Sequence, residues 1–214
     1  MKITTLLIML LITAFPLIAN AQQTISDEEY YLHKFTLGVK HLQSSDRKES
    51  DRATDDLMGV SLYIGNASEI DLKPLITKLT KIIKDEKSYV RRNCLLVMRQ
   101  IKHRKVVEMV ISSLKDKNES VRYTAAESLP LTRTPNTTKP PLRAVDLLIQ
   151  LSKRDKSAIV RAGAGVALGS YHLHYPKNEK IYAALKEAAK DPDARVREEV
   201  NYMLVLAKER ESKF

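Results

Sequence analysis

His172 and His174 stand one residue apart in GSYHLHYPKNEK, and paired imidazoles are the first groups in this chain that chemistry could recruit. They would give a metal ion two ligands, whereas a zinc site needs a third and usually a fourth, each oriented from behind by hydrogen bonds. His33, His41 and His103 are single and lack a carboxylate at ligand spacing. Cys94 is the only cysteine, so no disulfide can close within the chain, and it reads as a small buried residue. GAGVALG at 163–169 is rich in glycine, but no strand precedes it, and small residues there suit close helix contact better than a phosphate loop. No catalytic, metal or cofactor constellation is expected, the alternative being an accessory subunit or metal-dependent enzyme that uses the His172/His174 turn.

The pattern that does recur is Asp, four residues, Val-Arg. It occurs in KDEKSYVRRNC, KDKNESVRYTA, RDKSAIVRAGA and KDPDARVREEV. The Val-Arg pairs begin at Val90, Val121, Val160 and Val196, with separations of 31, 39 and 36 residues. A period in the thirties is that of stacked supersecondary units. Four residues after each Val come Cys94, Ala125, Ala164 and Val200, and eight after come Met98, Leu129, Leu168 and Leu204. Positions 0, +4 and +8 share one stripe of a helix, so the Val opens a buried face.

Upstream of each Asp lies a second segment with apolar residues at three- and four-residue steps: LKPLITKLTKIIK, VVEMVISSLK, LRAVDLLIQLSK and KIYAALKEAAK. Each unit is therefore helix, short polar turn, helix, and a lone hairpin of this kind buries its apolar faces only by stacking on neighbours. Asp85, Asp116, Asp155 and Asp191 fall in the turns, where a carboxylate can accept from free N–H groups at a helix start. Arg91, Arg122, Arg161 and Arg197 lie about 100° round from the Val, on the flank, within reach of an Asp in their own or an adjacent unit. These eight residues read as a structural ladder.

Asp, four residues, Val-Arg, a small residue at +4 and Leu at +8 resemble the HEAT repeat, in particular the short variety of the phycobilisome-lyase-like group. The resemblance covers residues 70–210 and implies an all-α, right-handed solenoid of antiparallel helical hairpins. A weaker unit precedes the four, with ISDEEYYLHKFTLGVKHL as first helix and DRATDDLMGVSLYIG as second. There Asp46 and Asp51-Arg52 keep the spacing with Asp in place of Val, which suits a terminal cap. The family also includes enzymes: its di-iron hydroxylases carry His-Glu dipeptides and its DNA glycosylases use Trp, and this chain has neither. The resemblance therefore implies a non-catalytic module for binding other proteins.

Residues 1–21 differ from the rest. Lys2, the apolar run Leu6 to Ile12 and Ala19-Asn20-Ala21 follow the three-part plan of a secretory signal peptide, with cleavage after Ala21. The apolar stretch is broken by Thr13 and Pro16 and is shorter than the roughly 20 residues of a membrane span. The remainder divides into a capping hairpin over 22–69 and an array over 70–214. PLTRTPNTTKPP at 130–141 holds four of the eight prolines and forms an extended loop between the second and third full units. Gly169 and Pro176 are expected to bound a helix end and a turn containing both His172 and His174.

Export and charge together limit the partners. The formal charge is +10, and loss of Lys2 with the signal leaves +9. Nucleic acid is scarce outside the cytoplasm, so a periplasmic or secreted basic protein is expected to meet an acidic protein surface or an anionic envelope polymer. The face of each second helix opposite its core carries positions +2, +6, +9 and +13. These are Arg92, Leu96, Arg99 and His103, then Tyr123 and Glu127, Ala162 and Val166, and Glu198, Tyr202 and Val205. The resemblance implies that this row lines the concave side, and Tyr and Arg commonly anchor protein contacts.

Overall fold

The structure is a computed structural model and describes residues 27–66 and 71–211. The segment read as a signal peptide, 1–21, lies outside the described residues. Among those described are ten α-helices, two short 3-10 turns and no strand. The helices are α1 (Asp27–Gly38), α2 (Arg47–Asn66), α3 (Lys73–Ile82), α4 (Ser88–Met98), α5 (Arg104–Ser113), α6 (Glu119–Ser128), α7 (Val145–Arg154), α8 (Ala158–His174), α9 (Glu179–Ala188) and α10 (Ala194–Glu211). Consecutive helices pair into five hairpins, and the second helices pack in series, α2 on α4, α4 on α6, α6 on α8 and α8 on α10. This is the all-α solenoid of stacked hairpins that the period implies.

The core follows the stripe set by the helix period. Val90, Val121, Val160 and Val196 are fully buried, as are Cys94, Ala125, Ala164 and Val200 at +4. At +8, Met98, Leu129 and Leu168 are fully buried while Leu204 is only partly so, since among the described residues no further hairpin covers α10. Burial pushes the Cys94 thiol far up, and its sulfur points at the Leu79 carbonyl, so it is an inert core group.

The glycines of α8 set the distance between helices. A Cβ on Gly163 would lie 2.7 Å from the Tyr123 ring, one on Gly165 2.5 Å from Val200 Cγ2, and one on Gly169 2.5 Å from Met203 Cβ. Helix α8 thus meets α6 on one side and α10 on the other through hydrogen-sized positions, which lets three second helices stack closely.

Candidate functional site

The four turn aspartates share one task, and three of them perform a second. The Oδ1 of each accepts from the N–H two residues on: Lys87 for Asp85 (2.9 Å), Asn118 for Asp116 (2.8 Å), Ser157 for Asp155 (3.0 Å) and Asp193 for Asp191 (2.9 Å). From Asp116 onwards, the carboxylate also receives the arginine of the preceding hairpin through a two-pronged fork. Arg91 grips Asp116 (2.8 and 2.8 Å), Arg122 grips Asp155 (2.7 and 2.8 Å), and Arg161 grips Asp191 (2.7 and 3.0 Å). The remaining guanidinium nitrogen of each donates to carbonyls of its own turn, Asp85 and Glu86, Asp116 and Lys117, or Asp155. Every fork therefore locks one turn to the next, in a single direction along the array.

Burial alone would raise Asp116 and Asp155, but the arginine and the i+2 N–H together hold both below the usual carboxylate value. At Asp191 the Arg161 bond is the largest influence and lowers it against burial. Bidentate, charge-assisted bonds of this geometry fix the relative placement of the two groups they join.

The first joint is built differently. Three residues before α2, where each later second helix has its Asp, stands Ser44, whose Oγ accepts from Asp46 N at 3.1 Å; Asp46 itself caps α2, accepting from Lys48 N at 2.9 Å as Asn118 accepts from Ser120 N. The register read from Asp46 is therefore two residues out, which is about 200° round the helix, and Ser50 stands where Arg91 stands in the next hairpin. Ser50 is consequently the buried residue, hydrogen-bonded to the Leu42 carbonyl, and Asp51 turns towards α4. There it accepts from Arg92 (3.0 Å) and Asn93 (2.9 Å). Arg52 points away from Asp85 and reaches only the Lys48 carbonyl, while Gln43 takes its place on Asp85 at 3.0 Å.

Along the row read as a partner surface, Leu96, Arg99, Tyr123 and Val166 are half-buried and Glu127, Glu198, Tyr202 and Val205 are exposed. Tyr123 donates to Glu127 at 2.6 Å, and burial together with that carboxylate pushes its hydroxyl pKa up. The Arg99 Nε is buried and has no hydrogen-bond partner among the described residues. Three positions need correction. Ala162 is buried and presents nothing to a partner. Arg92 is half-buried and held by Asp51. His103 is not on α4 at all, because that helix ends at Met98; it caps α5, its Nδ1 accepting from Lys105 N at 3.1 Å. The helical path breaks at Ile101–His103 ahead of a new apolar run, a signal for a cap that spacing from Val90 overlooks.

The two histidines also differ from expectation. They lie in the last turn of α8, not in a turn after it, and the helix ends at His174. Residues two apart on a helix project about 200° apart, so one ion cannot take both. His172 is buried and stacked on the Tyr182 ring. For His174, burial and the cationic charges of Arg133, Arg210 and Lys139 hold the pKa below the usual histidine value. Among the described residues no three His, Cys, Asp or Glu converge as a metal site would require.

Sequence reasoning passed over two basic surfaces. The 130–141 loop is fastened to α8 by the hydroxyls of Tyr171 and Tyr175, which donate to the carbonyls of Pro141 (3.1 Å) and Pro140 (2.6 Å). Arg133 spans it from within, donating to the carbonyls of Thr138 and Thr132, and Lys139 sits over the Tyr175 ring. Elsewhere, first helices α3 and α5 leave a shallow cleft of about 450 Å³ lined by Lys73, Lys81, Lys105 and His103 with the hydroxyls of Thr77 and Thr80.

Stacked helical hairpins joined by a repeated Asp–Arg ladder define an α-solenoid. Residues 76–169 match the HEAT-repeat family, and the chain carries a HEAT-repeat array. Its structure is similar to that of the complex of CpcE and CpcF of phycocyanin lyase from Nostoc sp., with TM-score 0.65 and 18% identity over 81% of this chain and 99% of that one. It is also similar to human deoxyhypusine hydroxylase (TM-score 0.50, 15% identity, 90% and 83% of the two chains). An engineered protein matches at TM-score 0.50 and 17% identity, over 81% and 78%. No curated protein matches the chain. At these identities the likeness is one of fold.

Proposed function

We propose that this chain is an exported, non-catalytic scaffold that binds a protein partner along the exposed row of its second helices. The observation that carries the reading is the mixed chemistry of that row: the half-buried Leu96, Arg99, Tyr123 and Val166 with the exposed Tyr202. Aromatic and arginine side chains backed by a rigid scaffold are the usual anchors of protein recognition. A formal charge of +10 favours a partner with an acidic surface. The structural relative from Nostoc sp. is itself described as a complex of two chains. Export rests on residues 1–21, and N-terminal sequencing of protein recovered outside the cytoplasm tests it, a start at Gln22 being the expected result.

Capture from an envelope extract tests the surface. Wild type is compared with a Leu96→Glu, Tyr123→Ala, Tyr202→Ala variant of unchanged helicity. Retention of the same protein by both rules the row out.

The α3–α5 cleft favours a second reading, docking on an anionic polymer or lipid headgroup. Its Lys73 and Lys81 face no carboxylate in the cleft lining, while Lys105 reaches Glu108 of its own helix at 3.9 Å. Such binding weakens steeply with salt, because exposed charges are screened within about 8 Å at physiological ionic strength. Retention of an anionic polymer that persists in high salt would count against it.

A further inference from the structure

The 130–141 loop is a built element that neither the ladder nor the partner row uses. Thr132 and Pro140 are buried, Asn136 turns the tip at φ 64°, and the Thr137 hydroxyl donates to the Thr134 carbonyl at 2.9 Å. Arg133 is half-buried within it. Its Nε and Nη1 donate to the Thr138 and Thr132 carbonyls, and its Nη2 has no partner among the described residues.

Three further basic groups gather at the same corner. Lys139 Nζ stands 5.3 Å from the centre of the Tyr175 ring. Helices α8 and α10 run side by side in the same direction, Gly165 against Val200 and Gly169 against Met203, so their last turns finish together. His174 and Arg210 occupy those last turns, the first half-buried and the second exposed. The charges of Arg133, Arg210 and Lys139 all act on His174.

Acid is missing where these cations would need it. Neither 128–145 nor 156–178, which supply the loop and α8, contains an Asp or Glu. Glu209 lies about 100° round α10 from Arg210. Burial pulls the Arg133 pKa down, and among the described residues no carboxylate acts to restore it. The two helix C-termini contribute roughly half a negative charge each, less than the three permanent cations carry.

We propose that this corner binds a phosphate group, held as a dianion between Arg133 Nη2, Lys139 and Arg210 with His174 as a further donor. A double charge on three acceptor oxygens suits cations that converge from a loop and two helix ends, and a guanidinium N–H is a strong donor to such an oxygen. The site shares no residue with the partner row or with the α3–α5 cleft, so it is independent of both readings of function.

Amide NMR spectra of the purified protein titrated with inorganic phosphate test it. Saturable shifts confined to 132–139, His174 and the end of α10 are expected, with a Kd on the order of 1 mM. Arg210→Ala and Lys139→Ala, at side chains that make no hydrogen bond among the described residues, are each expected to weaken binding about fivefold, the upper range for one exposed charge contact. Lys153→Ala removes the same charge from α7 and is expected to leave binding unchanged. Shifts that never saturate, or that spread over the lysines of the first helices, overturn the proposal. So does binding that both site variants retain, or that Lys153→Ala weakens equally. Vesicles of equimolar phosphatidic acid and phosphatidylcholine separate the sources of the phosphate. Co-sedimentation of wild type that Arg210→Ala loses assigns it to a lipid headgroup, whereas saturable phosphate binding without co-sedimentation assigns it to a soluble compound.

Discussion

The joint between the third and fourth hairpins and the joint between the first and second solve one problem in two ways. In both, a turn carboxylate must be satisfied while two second helices are held together. At the later joint a single arginine does both, its fork on Asp155 and its third nitrogen on its own turn, with side chains only 9% and 5% exposed. At the earlier joint the tasks are divided: Gln43 reaches Asp85, and Arg92 and Asn93 hold Asp51, whose carboxylate is far more exposed than that of Asp155. Concentrating both tasks in one buried group makes a joint rigid and intolerant of change. Dividing them makes it forgiving.

Arg122→Ala should break the later joint most severely. It strands the buried Asp155 carboxylate, and removing one partner of such a pair costs about 3 to 5 kcal/mol, readable by urea unfolding. A loss under about 1 kcal/mol would place the ladder among ordinary surface ion pairs. Acid is the second route. The folded pKa values of Asp116, Asp155 and Asp191 lie below the usual 3.8, so the stability they contribute is complete above that value. It is lost as pH falls through the folded values, and the loss should be smaller in Arg122→Ala, in which one fork is already absent.

Two glycines extend the comparison to packing. Gly165→Ala drives a Cβ into the stiff, branched Val200 side chain at 2.5 Å, and overpacking of this kind costs about 1 to 3 kcal/mol. In the first hairpin, a Cβ on Gly59 would meet nothing within 4 Å, and the residue lies inside α2. Gly59→Ala should therefore stabilise by about 0.5 to 1 kcal/mol through helix propensity. Gln43→Ala removes one exposed hydrogen bond and should cost about 0.5 kcal/mol, the smallest change of the set. Thermal melts of these three variants against wild type check the order.

The period, the hairpins and the buried stripe were legible in the chain because a helix repeats every 3.6 residues and writes its apolar face into local spacing. The turn role of each Asp was legible for the same reason, since its N–H partner lies two residues on. Spacing alone misplaced groups that depend on where a helix begins or ends. His103 fell on a face of α4 only if that helix ran past Met98, and the two histidines shared a turn only if α8 stopped before them. Arg52 sits six residues after Asp46, as Arg91, Arg122, Arg161 and Arg197 do after their aspartates, yet Ser44 and not Asp46 holds the turn, so Arg52 falls two residues past the flank.

The sequence by itself determined that this protein is a stack of helical hairpins, the last four with a carboxylate in the turn and a guanidinium on the flank, because those features are local. Only the tertiary structure decided that Arg91, Arg122 and Arg161 each grip the aspartate of the following hairpin and not their own. That choice depends on how one hairpin lies over the next, a distance of 25 to 33 residues in the chain and 2.7 to 3.0 Å in space.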